Sequence, residues 1–180
     1  MMAPLQRLTT TYVEDEDRMR LSGEAADGSV QALWLTQRML ARLVPHLCAW
    51  LERQTPWQSG QAPAVADHGG LAQQAAHGFA QQAAQDQLHA QAPEPVVVQQ
   101  PAWLVVTVNV QSSEEGVQLL WQGALPEQQA GVVLSAQALR QWLGIVYRQY
   151  QRAQWSLAQW PVWMDAGASV ALASAAGVLH

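Results

Sequence analysis

The chain has 180 residues, 49% of them apolar and only 13% charged, with a formal net charge of -5. That length suits one domain, or two small ones joined by a linker, and nine tryptophans provide apolar area for a sizeable core. All nine basic residues are arginine, so the acidic balance disfavours non-specific contact with phosphate backbones, and the single cysteine, Cys48, excludes an internal disulfide and a cysteine-based zinc cluster.

Residues 5–13 include Thr9-Thr10-Thr11-Tyr12-Val13, a β-branched and aromatic run that reads as a strand. The acidic tip Glu14-Asp15-Glu16-Asp17 turns it into the alternating stretch 18–22, and Asp27-Gly28 turns that into the apolar run 30–35. Thr36 then caps a helix whose stripe is Met39, Leu40, Leu43, Val44, Leu47, Cys48 and Leu51. Pro45 lies within that pattern and predicts a kink or two abutting helices. Cys48 falls on the stripe and reads as a small buried hydrophobe.

From 58 to 95 the composition shifts to Gly, Pro, Ala and Gln, with an eight-residue echo at Gly70 and Gly78. This predicts an insertion, with one weakly docked helix over 71–91 anchored by Leu71, Phe79 and Leu88, and loop elsewhere. A long β-branched strand is expected over 102–110 and a second over 117–122. A third, over 131–134, meets Ser135 and a helix over 136–154 with the stripe Leu139, Trp142, Leu143, Val146, Tyr147 and Tyr150. Leu35, Thr36 and Leu40 are thus matched by Leu134, Ser135 and Leu139.

These elements predict an α+β protein with antiparallel sheets and two covering helices, in the order β-β-β-α, insertion, β-β-β-α, an internal pseudo-repeat. The expected divisions are a meander and helix over 1–57, the insertion over 58–95, a second meander and helix over 96–163 joined to 1–57 in one domain, and a small-residue apolar tail over 164–180. Residues 1–7 lack the pattern of a secretory signal, and the apolar stretch 162–179 is short and broken by Asp165. A membrane-spanning helix needs about 20 apolar residues, so no membrane anchor and a bacterial-type cytoplasmic setting are expected.

No glycine-rich phosphate loop, nucleophile elbow or paired Cys-His geometry accompanies the chain, which argues against nucleotide hydrolysis and acyl-transfer chemistry. His46 and Cys48 are two apart on one helix and point to different faces. His68, His77 and His89, with Asp67 and Asp86, have metal-competent side chains, but the histidines are 9 and 12 residues apart rather than the i, i+4 that presents two ligands on one helix face, so no metal and no cofactor are expected. The acidic tip lacks the alternation and glycine of a calcium loop and reads as a solvated turn.

Two surfaces remain. Trp155, Trp160 and Trp163 crowd an irregular segment; they either seal the end of the sheet or anchor an interface, tryptophan being a typical interface anchor. Arg140, Arg148 and Arg152 fall four or eight apart near Tyr147 and Tyr150, a pairing of charge and stacking that suits single-stranded nucleic acid. The resulting expectation is a non-enzymatic adaptor or assembly factor that binds another protein or itself. The alternative is a nucleic-acid-associated protein using Arg140, Tyr147, Arg148 and Arg152, which the net charge disfavours.

Overall fold

Alternating apolar residues build the first sheet. In a computed structural model, which describes residues 4–54, 68–88 and 101–165, strands β1 (Leu5–Val13), β2 (Arg18–Ala25) and β3 (Val30–Leu35) form an antiparallel meander. Along β2, Met19 and Leu21 are buried while Arg18, Arg20 and Ser22 are half-exposed, the period of two that a strand with one covered face requires. The turn into β3 rests on Gly28 at φ 79, and Ser29 donates to Asp27 Oδ1 from both its backbone N–H (2.9 Å) and its hydroxyl (2.6 Å).

The expected strand over 102–110 is two strands in two sheets. β4 (Trp103–Leu104) runs parallel to β3, whereas β5 (Thr107–Ser112) opens a second antiparallel meander with β6 (Val117–Gln122) and β7 (Gln129–Leu134). The switch takes two residues: the Val105 N–H donates to the Trp34 carbonyl (3.0 Å), and the Val106 N–H to the Gln122 carbonyl (2.8 Å). Val105 is buried at 3% exposure and Val106 is 58% exposed. The β-branched run specifies extended backbone throughout, but it carries no signal for which neighbour each half pairs with.

The two meanders match row by row. Thr10, Leu21 and Leu33 lie side by side across β1, β2 and β3, and Val110, Leu119 and Val132 do so across β5, β6 and β7. The next row is Tyr12, Met19 and Leu35 in one meander and Ser112, Val117 and Leu134 in the other. Each meander ends in a hydroxyl N-cap. Thr36 Oγ1 accepts the Met39 N–H (3.2 Å) to start α1 (Gln37–Gln54), and Ser135 Oγ accepts the Ala138 N–H (3.2 Å) to start α3 (Ala136–Arg152).

Both covering helices bury the stripes expected of them, except that Met39 and Tyr147 are half-buried. α1 runs through Pro45 as one helix rather than two; Pro45 is exposed, so the bond it forfeits lies on the solvent side. α3 follows β7 in sequence yet lies along β1 of the other meander: Trp142 Nε1 donates to Thr10 Oγ1 (3.1 Å), and Gln149 Oε1 accepts the Tyr12 N–H (2.8 Å). Leu33, Leu47, Leu119, Leu139 and Leu143, all at 0% exposure, belong to one core that draws on both sheets.

A further helix, α2 (His68–Asp86), occupies part of the insertion and lies against α3. Its docking face is not the expected one. Leu71 and Phe79 are exposed (43% and 60%), while Ala75, His77, Gln81 and Ala84 are buried. Small residues let the α2 backbone come close enough for glutamine amides to reach α3. Gln81 Nε2 donates to the Arg140 carbonyl (2.8 Å), and Gln85 Nε2 to the same oxygen (3.1 Å). Gly144 makes room for this, since a Cβ there would sit 2.3 Å from Gln85 Nε2. The rest of the expected loop, 55–67 and 89–100, and the tail 166–180 lie outside the described residues.

Leu33→Ala and Leu119→Ala, one in each sheet, are each expected to cost about 2–5 kcal/mol. Denaturant unfolding followed by circular dichroism and by tryptophan fluorescence should give one shared transition for both variants. Separate transitions, or a variant that melts one sheet alone, would contradict a common core.

Candidate functional site

Arg140 sits inside the protein, at 6% exposure, between α2 and the segment that follows α3. Its guanidinium lies over the Trp163 ring (5.2 Å to the centroid), and its Nη2 is 3.2 Å from His77 Nδ1. An arginine nitrogen can only donate, so Nδ1 is the acceptor and His77 is neutral with its proton on Nε2. Burial first, then the Arg140 charge, holds His77 below its usual pKa, with Glu52 opposing; burial also lowers Arg140. The expected arginine face is therefore divided. Arg140 is enclosed, Arg148 is exposed and donates to Gln85 Oε1 (2.9 Å), Arg152 is exposed, and Tyr147 is half-buried against Trp160.

The three candidate interface tryptophans are buried, at 8% for Trp155, 8% for Trp160 and 2% for Trp163. Trp155 meets Tyr12 and Tyr150 edge-on, Trp160 meets Tyr150 and Tyr147, and Trp163 stands in a short 3-10 turn, Val162–Met164, beside His77. Their placement is that of a seal, and none presents an open indole face. Two of them are fixed by carboxylates: Trp155 Nε1 donates to Asp17 Oδ1 (3.1 Å) and Trp163 Nε1 to Glu52 Oε1 (3.0 Å). The acidic tip is thus more than a solvated turn, because Asp17, at φ 46, also accepts the Tyr12 hydroxyl (2.9 Å).

The remaining candidates are quickly placed. Cys48 is buried, and desolvation with the nearby Glu52 pushes its thiol up to about 12, which leaves it protonated and unreactive. Among the described residues no group of three or more His, Cys, Asp or Glu comes together as a metal site. Asp67 and His89 lie outside the described residues. Among the described residues no helix is long and apolar enough to cross a membrane.

A concave feature among the described residues lies elsewhere, where the sheets part. A groove of about 670 Å³ separates α1 from β5. Val108 and Val110, alternate residues of β5, line one side of it together with Val106 and Thr107, and Arg38, Arg42 and His46, four apart on α1, line the other. Leu43 and Val105 lie deeper, both buried. Among the described residues, Arg38 and Arg42 are exposed and make no ion pair, and no acidic side chain lines the groove. β5 bonds to β6 and is the end strand of its sheet, so the backbone groups on its other side face this space.

Sequence reasoning missed this site, although both halves of its signal were present. The i, i+4, i+8 spacing of Arg38, Arg42 and His46 and the valine alternation at 106, 108 and 110 are legible. What brings them together is the sheet switch at Val105–Val106, which the sequence does not mark. No family model matches the chain, and no curated protein or solved structure matches it either.

His77 carries a pH dependence whose sign is fixed. Its folded pKa is depressed below 6.5, so the docking of α2 is at full strength above that value and weakens as the pH falls through the folded value. Amide exchange in α2 should accelerate relative to α3 as the pH is lowered from neutrality past the ordinary histidine value, after correction for intrinsic rates. His77→Asn, which retains an acceptor for Arg140 but no titrating group, should abolish the effect. An unchanged pH response in that variant would refute the assignment.

Proposed function

We propose that the chain is a non-enzymatic adaptor or assembly factor, cytoplasmic in setting, that binds another protein through the groove between α1 and β5. The observation that carries this reading is the unmatched chemistry of the groove: two exposed arginines without ion partners among the described residues, facing a half-open row of valines on an end strand. A strand edge left open is a template for pairing with another chain. Buried arginine-aromatic clusters and a protonated, buried thiol favour structural roles for the other candidates over catalysis.

Nucleic acid is the competing reading, supported by the exposed Arg148 and Arg152. It is weakened by the enclosure of Arg140 under Trp163, which removes a charge from that face. Salt separates the two, because each phosphate contact makes affinity fall steeply with ionic strength, whereas an apolar interface does not behave so.

Tagged protein recovered from its native host should carry a stoichiometric protein partner that survives nuclease and high salt. Val106→Asp, at a 58% exposed position, should lose that partner while leaving the fold intact. Arg148→Ala with Arg152→Ala should retain it. A partner kept by Val106→Asp would sink the groove assignment, and nuclease-sensitive material lost by the double arginine variant would favour nucleic acid.

A further inference from the structure

We infer that the groove takes an extended acidic segment of the partner, which adds to β5 as a further strand and sets its carboxylates against Arg38 and Arg42. This rests on the binding reading above and names the chemistry of the partner.

The two halves differ at matched positions. Counted from the caps Thr36 and Ser135, Leu43 on α1 takes the place of Trp142 on α3, and Trp50 that of Gln149. By register, Val110 takes the place of Thr10, and Ser112 that of Tyr12. In one half the end strand is tied to its helix by two hydrogen bonds, from Trp142 to Thr10 and from the Tyr12 N–H to Gln149. In the other half the first pair, Leu43 and Val110, has no polar side-chain atom. In the second, the tryptophan at position 50 has no acceptor to offer a backbone N–H. No α1 residue lining the groove hydrogen-bonds to β5. The edge amide of Tyr12 on β1 is thus held by α3, whereas no α1 side chain lining the groove holds an amide of β5, and it is at β5 that the groove lies.

The chemistry of the walls selects the occupant. An open edge binds extended backbone through main-chain hydrogen bonds, and alternate side chains of the added strand meet the two sides of the site. Apolar side chains fit Leu43, Val108 and Val110, and carboxylates fit Arg38 and Arg42, which share one face of α1. Two arginines opposite valines offer a nucleic acid neither a track of charge nor a stacking surface. The chain's own acidic runs are poor occupants, because Glu14–Glu16 is a 3-10 turn and Glu114 and Glu115 lie in the turn between β5 and β6, outside both strands. A second copy is accordingly disfavoured.

The test is a display selection of short random peptides on the full-length protein. Enriched sequences should alternate apolar residues with two or more carboxylates and lack central proline, which cannot pair in a strand. Arg38→Glu with Arg42→Glu, both exposed and tolerable to the fold, should weaken a selected peptide by about tenfold or more. Methylating alternate backbone nitrogens of that peptide, its side chains unchanged, should weaken it comparably. No enrichment, as when the chain's own remaining residues fill the groove, overturns the inference. So does enrichment of basic or patternless peptides, indifference to the arginine or N-methyl changes, or a dimer that the double arginine variant dissociates. If a natural partner is lost by Val106→Asp while the selected peptides are not acidic, this inference fails and the binding reading stands. If acidic peptides behave as expected while the natural partner ignores Val106→Asp, the binding reading fails instead.

Discussion

Two adjacent amides decide how the molecule is arranged. The Val105 N–H bonds to β3 and the Val106 N–H bonds to β6, so one short extended stretch belongs to both sheets and holds them at their point of divergence. Backbone hydrogen bonds must be satisfied somewhere when buried, and here consecutive residues satisfy them on different sheets. Because β3 gives way to Thr36 and α1 just where β5 begins, the helix rises beside the new strand, and a space is left between them. Every later feature, from the shared core to the groove, follows from that divergence.

The two halves use the same devices with unequal results. Rows of three paired residues run across each meander, and each meander ends in a hydroxyl cap and an apolar-stripe helix. α3 is joined to β1 by side chains that both bury area and satisfy polar groups. α1 buries Leu40, Leu43, Leu47 and Leu51 but makes no hydrogen bond to β5 among the described residues, and its arginines stand over the gap. α2 adds a layer on the α3 side, held by glutamine amides and by the neutral His77 against Arg140. Among the described residues, the α3 side thus carries a second layer and the β5 edge carries none.

Much of the fold was legible because its signals are local. Turn residues, β-branched runs, hydroxyl caps and helical stripes place five of the described strands, β1, β2, β3, β6 and β7, and both covering helices near their observed positions. The failures are those of partner choice. Residues 102–110 read as one strand because extended backbone is the same in either sheet. α2 was expected to dock through Leu71 and Phe79, yet close approach through Ala and Gln prevailed, since amides reaching helix carbonyls need small residues at the contact. Arg140 was grouped with Arg148 and Arg152 by spacing. At 3.6 residues per turn, a separation of eight positions turns about 80° around the helix, enough for α2 to enclose one arginine and leave another in water. The tryptophans allowed two readings from sequence, and their burial places them as a seal. The groove needed two distant signals to be joined by a topology that neither contains.

The openness of the β5 edge is the claim on which the functional account stands, and residue-resolved amide hydrogen exchange in the free protein tests it directly. The account predicts alternation along β5, with amides bonded to β6 protected and those directed toward the groove exchanging fast, while the Tyr12 amide on the edge of β1, held by Gln149, is slow. Uniform protection along β5, equal to that of Tyr12, would mean that the edge is already covered, and would contradict the account.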